Sequence, residues 1–148
     1  MEVAEPSGRL WLEVSVSATG QYQTAVIAGG GQGMYRSSDY GATWTLVSGT
    51  LSVDWSAIAV SATGQYQTGA VIGGSLYTSS DYGVRFTPVV GTLNPSWADL
   101  SVSATGQYQT AVGGNSGSIY TSSDYGATWV AVSEPSGLSW NCVSLSAT

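Results

Sequence analysis

Three carboxylates in this chain, Asp39, Asp81 and Asp124, recur in one frame, Ser-Ser-Asp-Tyr-Gly, at residues 37–41, 79–83 and 122–126. A carboxylate can act as general acid or base, as nucleophile or as cation ligand, so these positions, with Glu13, Asp54 and Asp99 among the other acids, are the first candidates for chemistry. The groups that usually work beside them are missing. The sequence has no His and no Lys, and its single cysteine is Cys142. That removes imidazole bases, Schiff-base lysines, Cys–His pairs and Ser–His–Asp triads, and with them structural zinc. No Asp-rich loop has EF-hand spacing, and no glycine loop precedes a helix, because Gly29-Gly30-Gly31 reads as a strand-to-strand turn. Glu13, Asp54 and Asp99 could supply a hydrolytic carboxylate pair, but none has a distinctive context. The expectation is a chain that is not an enzyme and holds no cofactor.

The composition narrows the partners. Charged residues make up 8% of the 148 positions, the net charge is −6, and the only basic residues are Arg9, Arg36 and Arg85. Nucleic acid is not expected, since phosphate binding needs a concentrated basic footprint. An anionic membrane surface is disfavoured by the same sign, and no apolar run approaches the ~20 residues needed to span a bilayer. The acidic start, Met1 to Glu5, leads into no apolar stretch of signal-peptide type, and compartment stays open. Cys142 reads as a small, half-buried strand residue.

The elements that must hold the candidate carboxylates come from repetition. Ser-Ala-Thr-Gly-Gln-Tyr-Gln-Thr occurs at residues 17–24, 61–68 and 103–110, and Ser146-Ala147-Thr148 begins a fourth copy. A tryptophan leads each copy at Trp11, Trp55, Trp97 and Trp140. Within the middle copy, residues 56–61 alternate small polar with apolar side chains, and 62–65 is turn chemistry with Gly64 free to take positive φ. Residues 66–72, 75–79 and 85–90 then read as three further strands separated by Gly73-Gly74 and the Asp frame and ended by Gly91. No 3.6-residue amphipathic period appears, so the chain is all-β, with four short strands per copy.

Two of the Asp frames extend to Ser37-Ser38-Asp39-Tyr40-Gly41-Ala42-Thr43-Trp44 and Ser122-Ser123-Asp124-Tyr125-Gly126-Ala127-Thr128-Trp129. These resemble the Asp-box, Ser-x-Asp-x-Gly-x-Thr-Trp, the hairpin between the third and fourth strands of a β-propeller blade in sialidases, sortilin-type receptors and photosystem assembly factors. The resemblance implies four-stranded Asp-box blades over nearly the whole chain and assigns Ser37, Asp39, Gly41, Thr43, Trp44, Ser79, Asp81, Gly83, Phe86, Ser122, Asp124, Gly126, Thr128 and Trp129 to stapling turns. Physics supports that assignment: a carboxylate in a tight turn accepts backbone N–H groups, Gly supplies the positive-φ corner and an aromatic ring covers the hairpin. The middle copy departs from the motif, with Arg85 and Phe86 in place of Thr and Trp, so a weaker staple is expected there. Sialidase-type hydrolysis needs an arginine cluster and a tyrosine nucleophile, whereas Arg36 and Arg85 lie in or beside peripheral hairpins.

The organisation that follows is a single repeat domain over 1–148, with blades at 10–52, 53–94 and 95–137 and an extra innermost-type strand at 138–148. Three blades leave raw edges, and propellers typically close with four to eight, so two chains are expected to make a six-bladed ring. The first and last innermost-type strands then compete for one position, and the C-terminal copy is expected to close the ring. A β-trefoil also has three repeats of four strands; the Asp-box and the fourth Trp-led segment favour the propeller. The functional expectation is a scaffold or interaction module whose partner is itself. A carbohydrate-binding propeller is the alternative, with the six Trp and nine Tyr as sugar platforms, and the simpler assignment of those periodic aromatics is blade packing.

Overall fold

The computed structural model describes residues 9–27, 29, 31–50, 52–92, 96–114, 118–132 and 138–147. The N-terminal residues 1–8, the inter-repeat residues 93–95 and 133–137, Gly30 and Thr148 lie outside this description. Among the described residues, twelve strands form three separate four-stranded antiparallel sheets. The first is β1 (Trp11–Val16), β2 (Gln23–Ile27), β3 (Met34–Ser37) and β4 (Thr45–Leu46). The second is β5 (Trp55–Val60), β6 (Gln67–Val71), β7 (Leu76–Ser79) and β8 (Thr87–Pro88), and the third is β9 (Trp97–Val102), β10 (Gln109–Gly113), β11 (Ile119–Ser122) and β12 (Val130–Val132).

Strand order within each sheet follows the sequence, so every repeat is a self-contained meander. That is the blade arrangement of a propeller, with β1, β5 and β9 side by side, and the arc is open. The fourth strands are shorter than the sequence suggests. Only Thr87 and Pro88 form β8, where Pro88 has no N–H to give to a ladder. Each first strand carries a register shift just after its Trp, at Trp11/Glu13, Trp55/Ala57 and Val112/Gly113 opposite Trp97. These bulges turn Trp55 to the same face as Ile58.

The core lies between blades rather than within them. Val26, Met34 and Val47 of blade 1 pack with Trp55, Ile58, Val71 and Phe86 of blade 2, and Ala57, Ala70, Leu76 and Val89 of blade 2 pack with Trp97 and Leu100 of blade 3. Two polar bonds repeat at each junction. Ala18 N–H donates to Ala62 C=O at 2.9 Å and Ala62 N–H to Ala104 C=O at 3.0 Å. Thr24 Oγ1 donates to Gln67 Oε1 at 2.6 Å and Thr68 Oγ1 to Gln109 Oε1 at 2.5 Å, all four residues being buried or nearly so.

Between blades the octapeptide turn also supplies an aromatic contact. Tyr22 stacks on Tyr82 with centroids 4.6 Å apart, and Tyr66 on Tyr125 at 4.4 Å. The same tyrosines lie over the turn glycines of the next blade: a Cβ on Gly64 would sit 2.6 Å from the Tyr22 side chain, and one on Gly106 2.6 Å from Tyr66. Gly20, at the equivalent turn of blade 1, has a similar φ of +79° but would meet only Tyr40 at 3.9 Å.

The C-terminal segment 138–147 is in no ladder among the described residues, yet it lies along β9 as β5 lies along β1. Val143 N–H donates to Asp99 Oδ2 at 2.8 Å and Leu145 N–H to Ser101 Oγ at 3.0 Å. Ile58 N–H and Val60 N–H make the same pair of bonds to Glu13 Oε2 and Ser15 Oγ, at 2.8 and 3.0 Å. Cys142 in this segment is exposed rather than half-buried, because no second strand covers it.

The pair Gly20 and Gly64 separates backbone strain from packing between blades. Gly64→Ala is expected to destabilise the chain by about 1–3 kcal/mol more than Gly20→Ala, since both force a side chain into positive φ but only the first overpacks a junction. Urea unfolding of the two variants measures the difference.

Candidate functional site: Asp-box hairpins and an open blade flank

The three Asp-boxes have nearly superposable hydrogen bonding. In blade 1, Ser37 Oγ donates to Asp39 Oδ1 at 2.8 Å and accepts from Gly41 N–H at 2.9 Å. Asp39 Oδ1 also takes the Thr43 N–H at 2.9 Å, and Oδ2 takes the Thr43 hydroxyl at 2.6 Å. Asp124 repeats this with Ser122 at 2.8 Å, Thr128 N–H at 2.9 Å and the Thr128 hydroxyl at 2.5 Å. In blade 2, Ser79 and Arg85 N–H reach Asp81 Oδ1 at 2.8 and 3.0 Å, and Oδ2 gains no hydroxyl because Arg85 stands where Thr does elsewhere. Gly83 N–H and Gly126 N–H donate to Ser79 and Ser122 Oγ at 3.1 and 3.0 Å.

The frame holds its Tyr as well as its Gly at positive φ: Tyr40, Tyr82 and Tyr125 at 62°, 62° and 64°, followed by Gly41, Gly83 and Gly126 at 82°, 76° and 83°. Left-handed backbone is costly for a non-Gly aromatic residue, and nothing in the residue types announces it. Ring contacts accompany it at two of the three positions, Tyr82 on Tyr22 and Tyr125 on Tyr66, but Tyr40 holds the same φ while 67% exposed, so the hydrogen bonds shared by all three frames hold the turn.

The aromatic that ends each frame does more than cover its own hairpin. Trp44 lies 6.3 Å from Trp11, and Phe86 lies 6.3 Å from Trp55, so each joins the Trp that leads its blade. Trp129 caps its own turn, its Nε1 donating to Gly126 C=O at 3.0 Å. Tyr35, Tyr77 and Tyr120 complete these stacks edge-on at 5.6, 5.3 and 5.4 Å from Trp11, Trp55 and Trp97.

The electrostatics follow the hydrogen bonds. The Thr43 hydroxyl and N–H, then the Ser37 hydroxyl, hold the Asp39 carboxyl down to a pKa of about 2. Thr128 does the same for Asp124, whose pKa is lowered. For Asp81, burial is the largest influence and pushes upward, but the Arg85 and Val84 N–H groups, the Ser79 hydroxyl and the Arg85 charge outweigh it and leave the pKa lowered. Glu13 goes the other way: burial raises it, the Ile58 N–H opposes, and the Asp99 charge adds to the rise. Glu13, Asp39, Asp54, Asp81, Asp99 and Asp124 are the carboxylates among the described residues, and each accepts at least one backbone N–H. Among the described residues no three His, Cys, Asp or Glu side chains gather.

The blade faces buried in blades 2 and 3 are open on blade 1. Trp11 and Trp44 are half-buried, and Leu12, Val14 and Val16 are 48%, 55% and 45% exposed on β1. Trp11, Leu12, Val14 and Trp44 line a cleft of about 570 Å³ with Gln23 and Tyr40. The Arg9 guanidinium lies 4.9 Å over the ring of Tyr35, which packs edge-on against Trp11.

Residues 119–132, which contain the third Asp frame, match the BNR-Asp box repeat. Among solved structures, the chain is similar to YCF48 from Cyanidioschyzon merolae at 18% identity and a TM-score of 0.68, over 92% of this chain and 41% of that one. It is similar to a GH74 xyloglucanase from Xanthomonas campestris at 21% identity and a TM-score of 0.68, over 88% of this chain and 20% of that one. A structure of YCF48 bound to D1 peptide aligns at 18% identity and a TM-score of 0.65, over 88% of this chain and 42% of that one. The chain is an open β-propeller segment with Asp-box repeats. It spans less than half the length of each of these structures, and at these identities the likeness is one of fold. No curated protein matches it by sequence.

Two outcomes follow for the Asp-box hairpins. Their folded-state pKa values lie below the unfolded value, so their contribution to stability is fully present above the unfolded pKa of 3.8 and is lost as pH falls below it, for Asp39 toward about 2. Tryptophan fluorescence against pH is expected to show unfolding in that window, starting at higher pH in Asp39→Asn/Asp124→Asn. Arg85→Thr, which restores the hydroxyl bond to Asp81, is expected to stabilise the chain by about 0.5 kcal/mol, the low end for a hydrogen bond because the hairpin faces water. Urea midpoints measure it.

Proposed function

We propose that this chain is a non-catalytic interaction module whose binding surface is the open flank of blade 1, and that the partner taken there is a second copy. The observation that carries this reading is the flank itself. Trp11, Val14 and Trp44 hold the positions that Trp55, Ile58 and Phe86 fill against blade 1; those three are buried, whereas Val14 is 55% exposed and Trp11 and Trp44 are half-buried. Apolar faces of that size seldom stay in water. Two chains then form a six-bladed ring about a two-fold axis, with two equal junctions.

Catalysis is not part of the proposal, because every described carboxylate is occupied by backbone N–H groups, an arrangement suited to turns and edges. A glycan is the second reading, favoured by the exposed ring of Tyr40 and the half-buried rings of Trp11 and Trp44 beside the polar Gln23 and Glu13 in one cleft. The paired tyrosines Tyr22, Tyr66, Tyr82 and Tyr125 lend it no support, since they stack on one another.

Light scattering on a size-exclusion column tests the reading. A mass twice 15.2 kDa is expected; a 15.2 kDa species at all concentrations, above all one that binds a glycan array, would overturn it in favour of the second.

A further inference from the structure

Segment 138–147 occupies the flank of blade 3 where a neighbouring blade would sit, but it fills that flank incompletely. At both internal junctions a glutamine amide is sandwiched between blades. Gln67 Nε2 donates to its own turn at Gly64 C=O, 3.0 Å, while Oε1 accepts from Thr24; Gln109 does the same with Gly106, at 3.0 Å, and Thr68. Beyond blade 3 the corresponding donor is Thr110, whose hydroxyl has no partner among the described residues. Instead, Thr110, Thr121, Ser122, Tyr108, Leu145 and Ser146 line a cavity of about 310 Å³. The missing half exists at the other end of the molecule. Gln23 Nε2 is bound to Gly20 C=O at 2.9 Å, and its Oε1 has no donor among the described residues.

The other junction contacts divide the same way. Tyr108, the counterpart of Tyr22 and Tyr66, is 47% exposed, and Tyr40, the counterpart of Tyr82 and Tyr125, is 67% exposed. Gly20 leaves open the space that Tyr22 fills over Gly64. Val14 and Val16 hold in β1 the register positions of Ile58 and Val60, whose N–H groups reach the preceding blade's side chains. Asp99 and Ser101 offer those acceptors but give them to Val143 and Leu145.

We infer that 138–147 is an intramolecular stand-in for β1: it holds the blade-3 flank until blade 1 of a second copy displaces it, docking head to tail with Gln23 on Thr110 and Tyr40 on Tyr108. This rests on the self-association proposed above and names its second surface. The displaced element is the C-terminal segment, the reverse of what the sequence favours. β1 is held by five ladder positions with β2 and by Glu13 and Ser15 on blade 2, whereas 138–147 is in no ladder. In the reverse exchange, Cys142 would take the place of Glu13, and the carboxylate bond to Ile58 N–H would be lost. Only an arriving blade brings a glutamine, an aromatic frame and three more strands to the flank.

The test uses full-length Val143→Pro/Leu145→Pro, which removes both N–H donors from the segment and leaves the blades untouched. Sedimentation velocity over a concentration series, with circular dichroism as a check on folding, is expected to show dimerisation at least about tenfold tighter than in the parent chain. Adding Thr110→Arg to that variant is expected to abolish the dimer, because the Arg side chain fills the space for Gln23. Dimerisation that is weaker in the Pro variant would mean that 138–147 is the exchanged strand and would overturn the stand-in while leaving self-association intact. Unchanged dimerisation, or a dimer that survives Thr110→Arg, would overturn it too. If neither chain dimerises, both readings fall.

Discussion

The architecture turns on one buried group, the side-chain amide of the glutamine that opens each second strand. In Gln67 and Gln109 the nitrogen ties down the blade's own turn and the oxygen receives the threonine of the blade before. A buried amide left half-satisfied costs about 1–3 kcal/mol, so the bond imposes an alignment as much as it adds stability. Blades that slipped or splayed would leave both a threonine hydroxyl and an amide oxygen without partners. The bond therefore sets the register between neighbouring sheets, which backbone ladders, confined within each blade, cannot do.

Once that alignment is fixed, the rest of each junction follows. The tyrosine beside the glutamine falls over the next turn, where only glycine leaves room, and reaches the tyrosine of the next Asp-box, where a left-handed backbone presents the ring. The Trp that leads each blade packs edge-on against the third-strand Tyr, and its face meets the blade before. Because the main apolar clusters lie between blades, each blade buries its apolar face only against a neighbour. An end blade exposes what an internal blade buries, which is why the candidate binding surfaces are the two flanks rather than the Asp-box carboxylates. Those carboxylates, with lowered pKa values and donors from their own hairpins, are turn fasteners by their geometry.

Much of this was legible in the sequence. The period, the four strands per repeat, the Asp-box turns and the weaker middle staple could be read from residue types, since Gly, Asp, Ser and Thr at fixed offsets have few alternatives in a tight turn. The junction bonds were less legible. The identical octapeptides contain the glutamine, threonine and tyrosine that form them, but local chemistry makes Gln and Thr read as ordinary strand residues, and nothing local shows that they meet 41 to 43 positions away. The positive φ of Tyr40, Tyr82 and Tyr125 was hidden as well, and the rings that meet Tyr82 and Tyr125 belong to another blade.

The sequence by itself determined the blade: a meander of four short strands whose turns, ladders and staples involve neighbours within one repeat, where covalent spacing and local hydrogen bonding decide the outcome. Tertiary structure alone decided how the blades meet and what the two ends offer. Ala57 cannot accept the Leu100 N–H as Glu13 accepts that of Ile58, so Asp99 turns back to bind it at 2.8 Å. The same carboxylate then holds Val143, and a segment that by sequence is one more first strand becomes a partial cover for a flank. Such outcomes depend on which side chains face one another across a gap between sheets, a relation that repeat spacing fixes only after the chain has curved into an arc.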